Sequence, residues 1–301
     1  MADITTPLTL EEASASPLFA YIRDNELGGQ LQSATPFGAR ALIYADYTAS
    51  GRALRCVEDY VREAILPTYG NTHTSTTKTG RQSSDYVAEA RTMVKNYLRC
   101  NDRGKNADRL LFVGSGATAG ANRLVAMLGL VAPTPAARAA ASALPVDQRP
   151  LVIVGPYEHH SNLLPWRDSV ADVVTVSEAE DGGIDQTGLE AQLVAATAAR
   201  RPLVVGAFSA ASNVTGVLTA VDDITALLHA HGALAVWDYA SAAPYAVNLS
   251  MNPPHEDPER AAAIAKDALF FSPHKFVGGP QSAGVLIYKK ALAKRGVSSN
   301  P

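Results

Sequence analysis

From Arg109 to Lys290 the chain repeats one pattern: a short apolar run, a polar or glycine-bearing turn, and in most cases an amphipathic helical stretch. The runs are "RLLFVG", "PLVIVG", "DVVTVS", "PLVVGAFS", "ALAVWD", "ALFFS" and "AGVLIYKK", and "TAGANRLVAMLGLV", "TGLEAQLVAATAA" and "DDITALLHAHG" stand between them. Apolar runs without polar alternation are strands buried on both faces, and helices between them supply the covering layers. The expected fold is α/β: a three-layer α/β/α sandwich around a mostly parallel sheet. In such sheets ligands bind outside the carboxyl ends of the strands, so those ends are where functional residues belong.

The rest of the chain is less regular. Residues 1–40 read as an irregular arm. "RALRCVEDYVREAIL" places Leu54, Val57, Tyr60, Val61 and Ile65 on one helical face and stops at Pro67. A Thr-rich loop follows from Pro67 to Gln82, and a second helix is expected from about Ser84 to Arg99. The Ala/Pro tract from Ala132 to Ala143 reads as a surface insertion or a frayed helix extension. With 47% hydrophobic and 18% charged residues and a formal net charge of -3, the 301 residues can bury a large core and carry no basic run. Nucleic acid and anionic membranes are therefore not expected as partners. No run of about 18 apolar residues occurs, and no basic segment leading into an apolar one opens the chain, so a cytoplasmic protein without a membrane span is expected. Cys56 and Cys100 lie in helix-like segments without a CxxC partner and read as reduced structural thiols.

Five strand ends carry polar groups of different chemical use: "GSGATAG" (114–120), "GPYEHHSN" (155–162), "SAASNVTG" (209–216), "WDYASAAPY" (237–245) and "SPHK" (272–275). The first is a glycine-rich strand-to-helix turn suited to a phosphate. It matches a dinucleotide fingerprint in its G-x-G-x-x-A form, but the acidic ribose partner expected about 20 residues on is replaced by the Ala/Pro tract, and no Gly-Lys-Ser/Thr makes it a P-loop. Glu158-His159-His160 admits three uses: metal ligation, an imidazole lying against an aromatic ring, or capping of a helix near Ser161. A third ligand at recognisable spacing is missing, so no metal is expected. Asp238 ends a buried run and needs a partner or a charged ligand. Lys275 follows another buried run. Pyridoxal 5'-phosphate uses all of these together: an anion cradle, a carboxylate for its ring nitrogen, a flat group over its ring and a lysine for a Schiff base.

With those residues placed, the sequence from about Ile43 to Tyr288 resembles the class V aminotransferase family of fold-type I pyridoxal-phosphate enzymes, in its cysteine desulfurase and selenocysteine lyase branch. "YADYTASG" is similar to the family's "YLDNAATT", and "YGNTHTSTTKTG" to its Asn-rich loop. "GSGATAGAN" is similar to "TSGATEAxN", "EHHSNLLPW" to "EHHANxxPW", "SNVTG" to "SNxxG", and "SPHKFVGGPQSAGVLI" to "SxHKxxGPxGxGxL". The resemblance implies that Lys275 holds the cofactor covalently, that Asp238 pairs with the pyridinium nitrogen and that His159 stacks on the ring. It places Asn213 near the ring hydroxyl or the substrate carboxylate, and Ala117, Thr118, Ser272 and His274 around the phosphate. Ser241, where the family usually has Gln, joins the cofactor-binding set, and Ala119 stands where the family has Glu. The implied activity is that of a cysteine desulfurase or lyase acting on a small amino acid, the alternatives being other class V chemistry such as transamination or epimerisation, or cofactor binding without turnover. A homodimer is implied, with Asn71 and His73 near the entrance between subunits. The expected organisation is an arm over 1–40, a cofactor-binding large domain over 41–295 and a tail over 296–301, without the family's smaller C-terminal domain. That domain carries the sulfur-accepting cysteine in desulfurases, and neither Cys56 nor Cys100 matches its position.

Overall fold

A computed structural model of the protein describes residues 10–104, 107–245 and 249–294, so the expected tail at 296–301 lies outside the described residues. The chain divides into two compact units, one of residues 1–93 with 274–281 and one of 94–273 with 282–301.

In the first unit the sequence's irregular arm holds two short helices, α1 (Leu10–Ala15) and α2 (Pro17–Asn25), and a hairpin of β1 (Gln32–Thr35) and β2 (Gly38–Ala41). The signal for α2 is Ser16-Pro17, with proline at the helix start, where its missing N–H costs nothing. The helix expected to end at Pro67 forms as α3 (Arg55–Tyr60), then widens to a π turn at Val61–Ile65 and tightens to a 3₁₀ turn at Leu66–Thr68. The next helix, α4 (Lys78–Tyr97), starts six residues before the expected Ser84. Thr77 opens it by accepting the Gly80 N–H at 3.1 Å. Gly80 lowers helix propensity, which hid this first turn. A Cβ at Gly80 would lie 2.3 Å from the Thr74 carbonyl oxygen, so the Thr-rich loop folds onto the helix only because a glycine is there.

The second unit is the α/β body. Its elements are β3 (Asp108–Val113), α5 (Gly116–Met127), α6 (Pro135–Ser142), β4 (Leu151–Val154), α7 (His160–Arg167), β5 (Asp172–Thr175), α8 (Gln186–Ala198), β6 (Val204–Ser209), α9 (Val221–Ala230), β7 (Leu234–Asp238), α10 (Pro258–Ala263), β8 (Ala268–Phe271) and β9 (Gly284–Lys289). The seven strands form one sheet in the order β3-β9-β8-β7-β6-β4-β5. β9 runs antiparallel to both of its neighbours, and the other strands are parallel to one another. The Ala/Pro tract becomes α6, with Thr134 capping it through the Ala137 N–H at 3.1 Å and Pro135 in its first turn.

The pleat sorts each strand's side chains into two faces. Val152, Val154, Val205, Ala207, Val236 and Phe270 pack with Leu124 of α5 and Trp166 of α7 in one core. On the opposite face, Trp237 donates to Thr225 Oγ1 of α9 at 2.9 Å, and Leu228 of α9 closes on Gly206, where a Cβ would lie 2.6 Å from its methyls. Helices on both faces make this the three-layer sandwich read from the sequence. Burying a side chain of Val, Leu or Phe size contributes roughly 1.5–3 kcal/mol, so both faces resist truncation. Gly120 lets α5 approach the sheet, since a Cβ there would be 2.8 Å from Phe270 Cβ.

Candidate functional site

The turn between β3 and α5 is built for a close backbone approach. Gly116 takes φ +66°, a left-handed conformation that glycine adopts without strain. Gly284 of β9 donates its N–H to Gly114 O at 3.0 Å, and a Cβ on Gly284 would come 2.3 Å from Gly116 O. Ser115, the N-cap residue, makes no side-chain cap. Ser272 acts instead: arriving from the end of β8, its Oγ accepts the Ala117 N–H at 2.8 Å, with both residues buried. Accepting this bond leaves the Ser272 hydroxyl its own proton to donate. A first helical turn with its N–H groups and dipole, plus that hydroxyl, favours an anion.

Asp238 is the last residue of β7, in register with Ser209 of β6 and Phe270 of β8. It is 4% exposed, and its Oδ1 accepts the Ala240 N–H at 2.7 Å. Backbone bonds from Ala210 N to Asp238 O and from Tyr239 N to Phe270 O, each 2.9 Å, fix the strand end that carries it. Ser241 follows, half-buried, in the turn after Asp238. Asn213 lies half-buried in the turn after β6, which Ser212 closes by accepting at Oγ from Val214 N and Thr215 N at 3.3 and 3.2 Å.

The Glu158-His159-His160 segment resolves into separate tasks. Glu158 anchors the loop to the neighbouring strand: its carboxylate accepts from Ser209 N at 2.9 Å, Ser209 Oγ at 2.6 Å and Asn162 Nδ2 at 2.7 Å. Gly155 makes room, since a Cβ there would be 2.6 Å from Glu158 Oε1. Burial pushes the Glu158 carboxyl above its usual range, and the Ser209, Asn162 and Gly155 donors pull it back. Asn162 passes the order on by accepting from Trp166 Nε1 at 3.0 Å. His159 caps α7 by accepting the Ser161 N–H at Nδ1, 3.1 Å away. Capping, one of the three uses read from the sequence, is thus realised at His159. Among the described residues no group of three or more His, Cys, Asp or Glu is placed to hold a metal ion.

His274 and Lys275 belong to the first unit, in a 3₁₀ turn at Pro273–Lys275 directly after Ser272. There the His274 carbonyl accepts from Gly51 N at 2.9 Å and Ser50 Oγ at 3.3 Å, and Gly278 N–H donates to Arg52 O at 2.7 Å. A Cβ on Gly51 would fall 1.9 Å from Phe276 O, so "YADYTASG" and "SPHKFVGG" meet where glycine is required. Burial, then the nearby Lys275 charge, lowers the His274 pKa.

Within the second unit the structure bonds Ala117 to Ser272 and connects Thr118 to His159 through Ser161. Sequence reasoning missed Ser161, Ser209 and the anchoring role of Glu158. Glu158 and Ser161 lie in the quoted "EHHS" motif, but their partners Ser209 and Thr118 come from β6 and α5, which no local pattern reports. Cys100 is half-buried, and burial with the nearby Asp108 charge pushes its thiol up to about 12, so the thiol stays protonated at neutral pH.

The second unit's residues fit a phosphorylated pyridine: an α5 start that its own N-cap residue leaves open and that is tied to Ser272 for the phosphate, and a buried carboxylate at a strand mouth for a ring nitrogen. The aminotransferase class-V family model matches residues 43–297, and the chain belongs to that family, whose enzymes depend on pyridoxal phosphate. Among its relatives, a probable cysteine desulfurase of Halalkalibacterium halodurans is 25% identical over 258 residues, covering 83% of this chain and 54% of the relative. Probable cysteine desulfurase 2 of Mycobacterium leprae is 26% identical over 267 residues, covering 85% and 54%. The apo structure of a cysteine desulfurase from Thermococcus onnurineus shares the fold with a TM-score of 0.62 at 21% identity, over 84% of this chain and 55% of that one. The chain spans about half the length of the curated relatives it matches.

Proposed function

We propose that this chain is the cofactor-binding part of a pyridoxal-phosphate enzyme acting on a small amino acid, with chemistry of the cysteine desulfurase or lyase kind. The observation that carries the reading is the Ser272 Oγ bond to Ala117 N at the start of α5 in the same sheet whose central strand ends in buried Asp238. Ala117, Thr118, Ser272 and His274 bind the phosphate. Asp238 holds the proton on the ring nitrogen through a charge-assisted hydrogen bond, strengthened by exclusion of water. His159 lies over the ring, Asn213 orients the ring hydroxyl or the substrate carboxylate, and Ser241 completes the cofactor-binding set. Lys275, three residues along the chain from Ser272, attaches the cofactor and then carries the proton taken from the substrate's α-carbon. The cofactor supplies the electron sink for the charge left there.

Among the described residues no helix is long and apolar enough to cross a membrane. Cytoplasmic residence and a homodimer complete the reading; two free cysteines support a reducing compartment, and sedimentation measures the assembly. The functional test is to record the visible spectrum of the cofactor-loaded protein during titration with a panel of amino acids, with product assayed in parallel. A spectral change and sulfide or alanine release with cysteine support the proposal. A protein that takes up no pyridoxal phosphate refutes it.

A further inference from the structure

Ser161 joins two parts of the second unit that the sequence treats separately. Its Oγ accepts from Thr118 Oγ1, in the first turn of α5, at 2.7 Å. The same Oγ lies 3.0 Å from His159 Nδ1, which also accepts the Ser161 backbone N–H at 3.1 Å. A ring nitrogen that accepts carries no proton, so neutral His159 has its proton on Nε2. Ser161 Oγ, already accepting from Thr118, turns its own proton toward Nδ1. The family motif quoted above has Ala at this position, so the hydroxyl belongs to this chain's own variation on it.

We propose that Ser161 is a positioning residue that couples occupancy of the α5 anion cradle to the orientation of the His159 imidazole. The Thr118 hydroxyl has one proton. When an anion on the first turn of α5 takes it, Ser161 Oγ loses its donor and the polarisation of its bond to Nδ1 changes. In the structure the same two hydroxyls tie the imidazole to α5. The physiological meaning, a phosphate-sensitive aromatic face for the cofactor, rests on the function proposed above; the relay itself is a property of Thr118, Ser161 and His159.

The test uses histidine-¹⁵N-labelled protein without cofactor, titrated with inorganic phosphate and followed by long-range ¹⁵N–¹H spectra. Wild-type His159 is expected to show the Nε2–H tautomer, with an Nδ1 resonance that moves as phosphate binds. In Ser161→Ala phosphate still binds but Nδ1 stops following it, and Ser161→Thr, which keeps the hydroxyl, restores the response. Pyridoxal-phosphate affinity should fall about three- to tenfold in Ser161→Ala, the size of one neutral hydrogen bond, and recover in Ser161→Thr. A proton on Nδ1, a wild-type His159 indifferent to phosphate, a Ser161→Ala response equal to wild type, or equal loss in the Ala and Thr variants overturns the relay. If wild-type His159 follows phosphate through Ser161 yet the protein takes up no pyridoxal phosphate, the relay stands and the functional proposal falls.

Discussion

Replacing Ser272 with Ala separates two roles of one hydroxyl. In the folded protein Ser272 Oγ accepts the Ala117 N–H at 2.8 Å, with the two residues 4% and 3% exposed. Ser272→Ala leaves that buried donor without its acceptor, which costs about 1–3 kcal/mol. At about 2–4 °C per kcal/mol for a domain of this size, the Tm of the cofactor-free protein falls by about 2–12 °C. The second role is donation to the bound phosphate. Losing a hydrogen bond to a charged group costs about 1.5–3 kcal/mol, so pyridoxal-phosphate affinity falls roughly 10- to 150-fold. Ser115→Ala is the internal control: Ser115 stands in the same turn, is exposed and makes no cap, so its stability effect stays within about 0.5 kcal/mol. Thermal unfolding of the cofactor-free variants and equilibrium titration with cofactor read the two roles independently. A Ser272→Ala protein with wild-type Tm and wild-type affinity, or a Ser115→Ala effect as large as that of Ser272→Ala, refutes the reasoning.

Two further outcomes follow from other parts of the second unit. His229 donates from Nδ1 to the Ala263 carbonyl at 2.7 Å and from Nε2 to Asp267 Oδ2 at 2.9 Å, an arrangement that requires the imidazolium. Burial opposes this charge, but Asp267 and the Ala263 carbonyl together raise the His229 pKa above its usual value. A raised folded-state pKa gives stability that is full below the unfolded value of about 6.5 and is lost as pH rises through the folded value. Urea unfolding from pH 5.5 to about 8.5 should therefore show the advantage of wild type over His229→Gln shrinking with rising pH, and an advantage that grows with pH contradicts this assignment. Asp238→Ala should keep part of the cofactor affinity and slow exchange of the substrate α-proton about 100-fold, the effect of losing one preorganised electrostatic partner; unchanged exchange removes Asp238 from the mechanism.

The parts of the fold that the sequence displays are those with local periodicity. All seven strands of the sheet are readable as apolar runs, because strands covered on both faces need no polar alternation. The orientation of β9 was not readable, since an antiparallel edge-to-centre return leaves no mark on "AGVLIYKK". The early start of α4 was masked by Gly80, a residue chosen for contact with Thr74 rather than for helix propensity. α7 was legible only as one of three uses of the Glu158-His159-His160 segment, because its cap is a histidine and its interior holds Pro165. The candidate site followed the same division. Single residues at strand ends, such as Asp238 and Ser272, stand out because a polar group after a buried run needs a reason. Glu158–Ser209 and Thr118–Ser161 did not, because each is a contact between elements far apart in sequence.

The most direct test of the account is chemical identification of the lysine that carries the cofactor. Protein loaded with pyridoxal phosphate is reduced with borohydride, digested and mapped by mass spectrometry. The account predicts a pyridoxyl group on Lys275, in the turn that follows Ser272. A label on Lys78, on Lys289 or on Lys266, a buried lysine paired with Asp222 at 3.4 Å, with Lys275 unmodified, would contradict it.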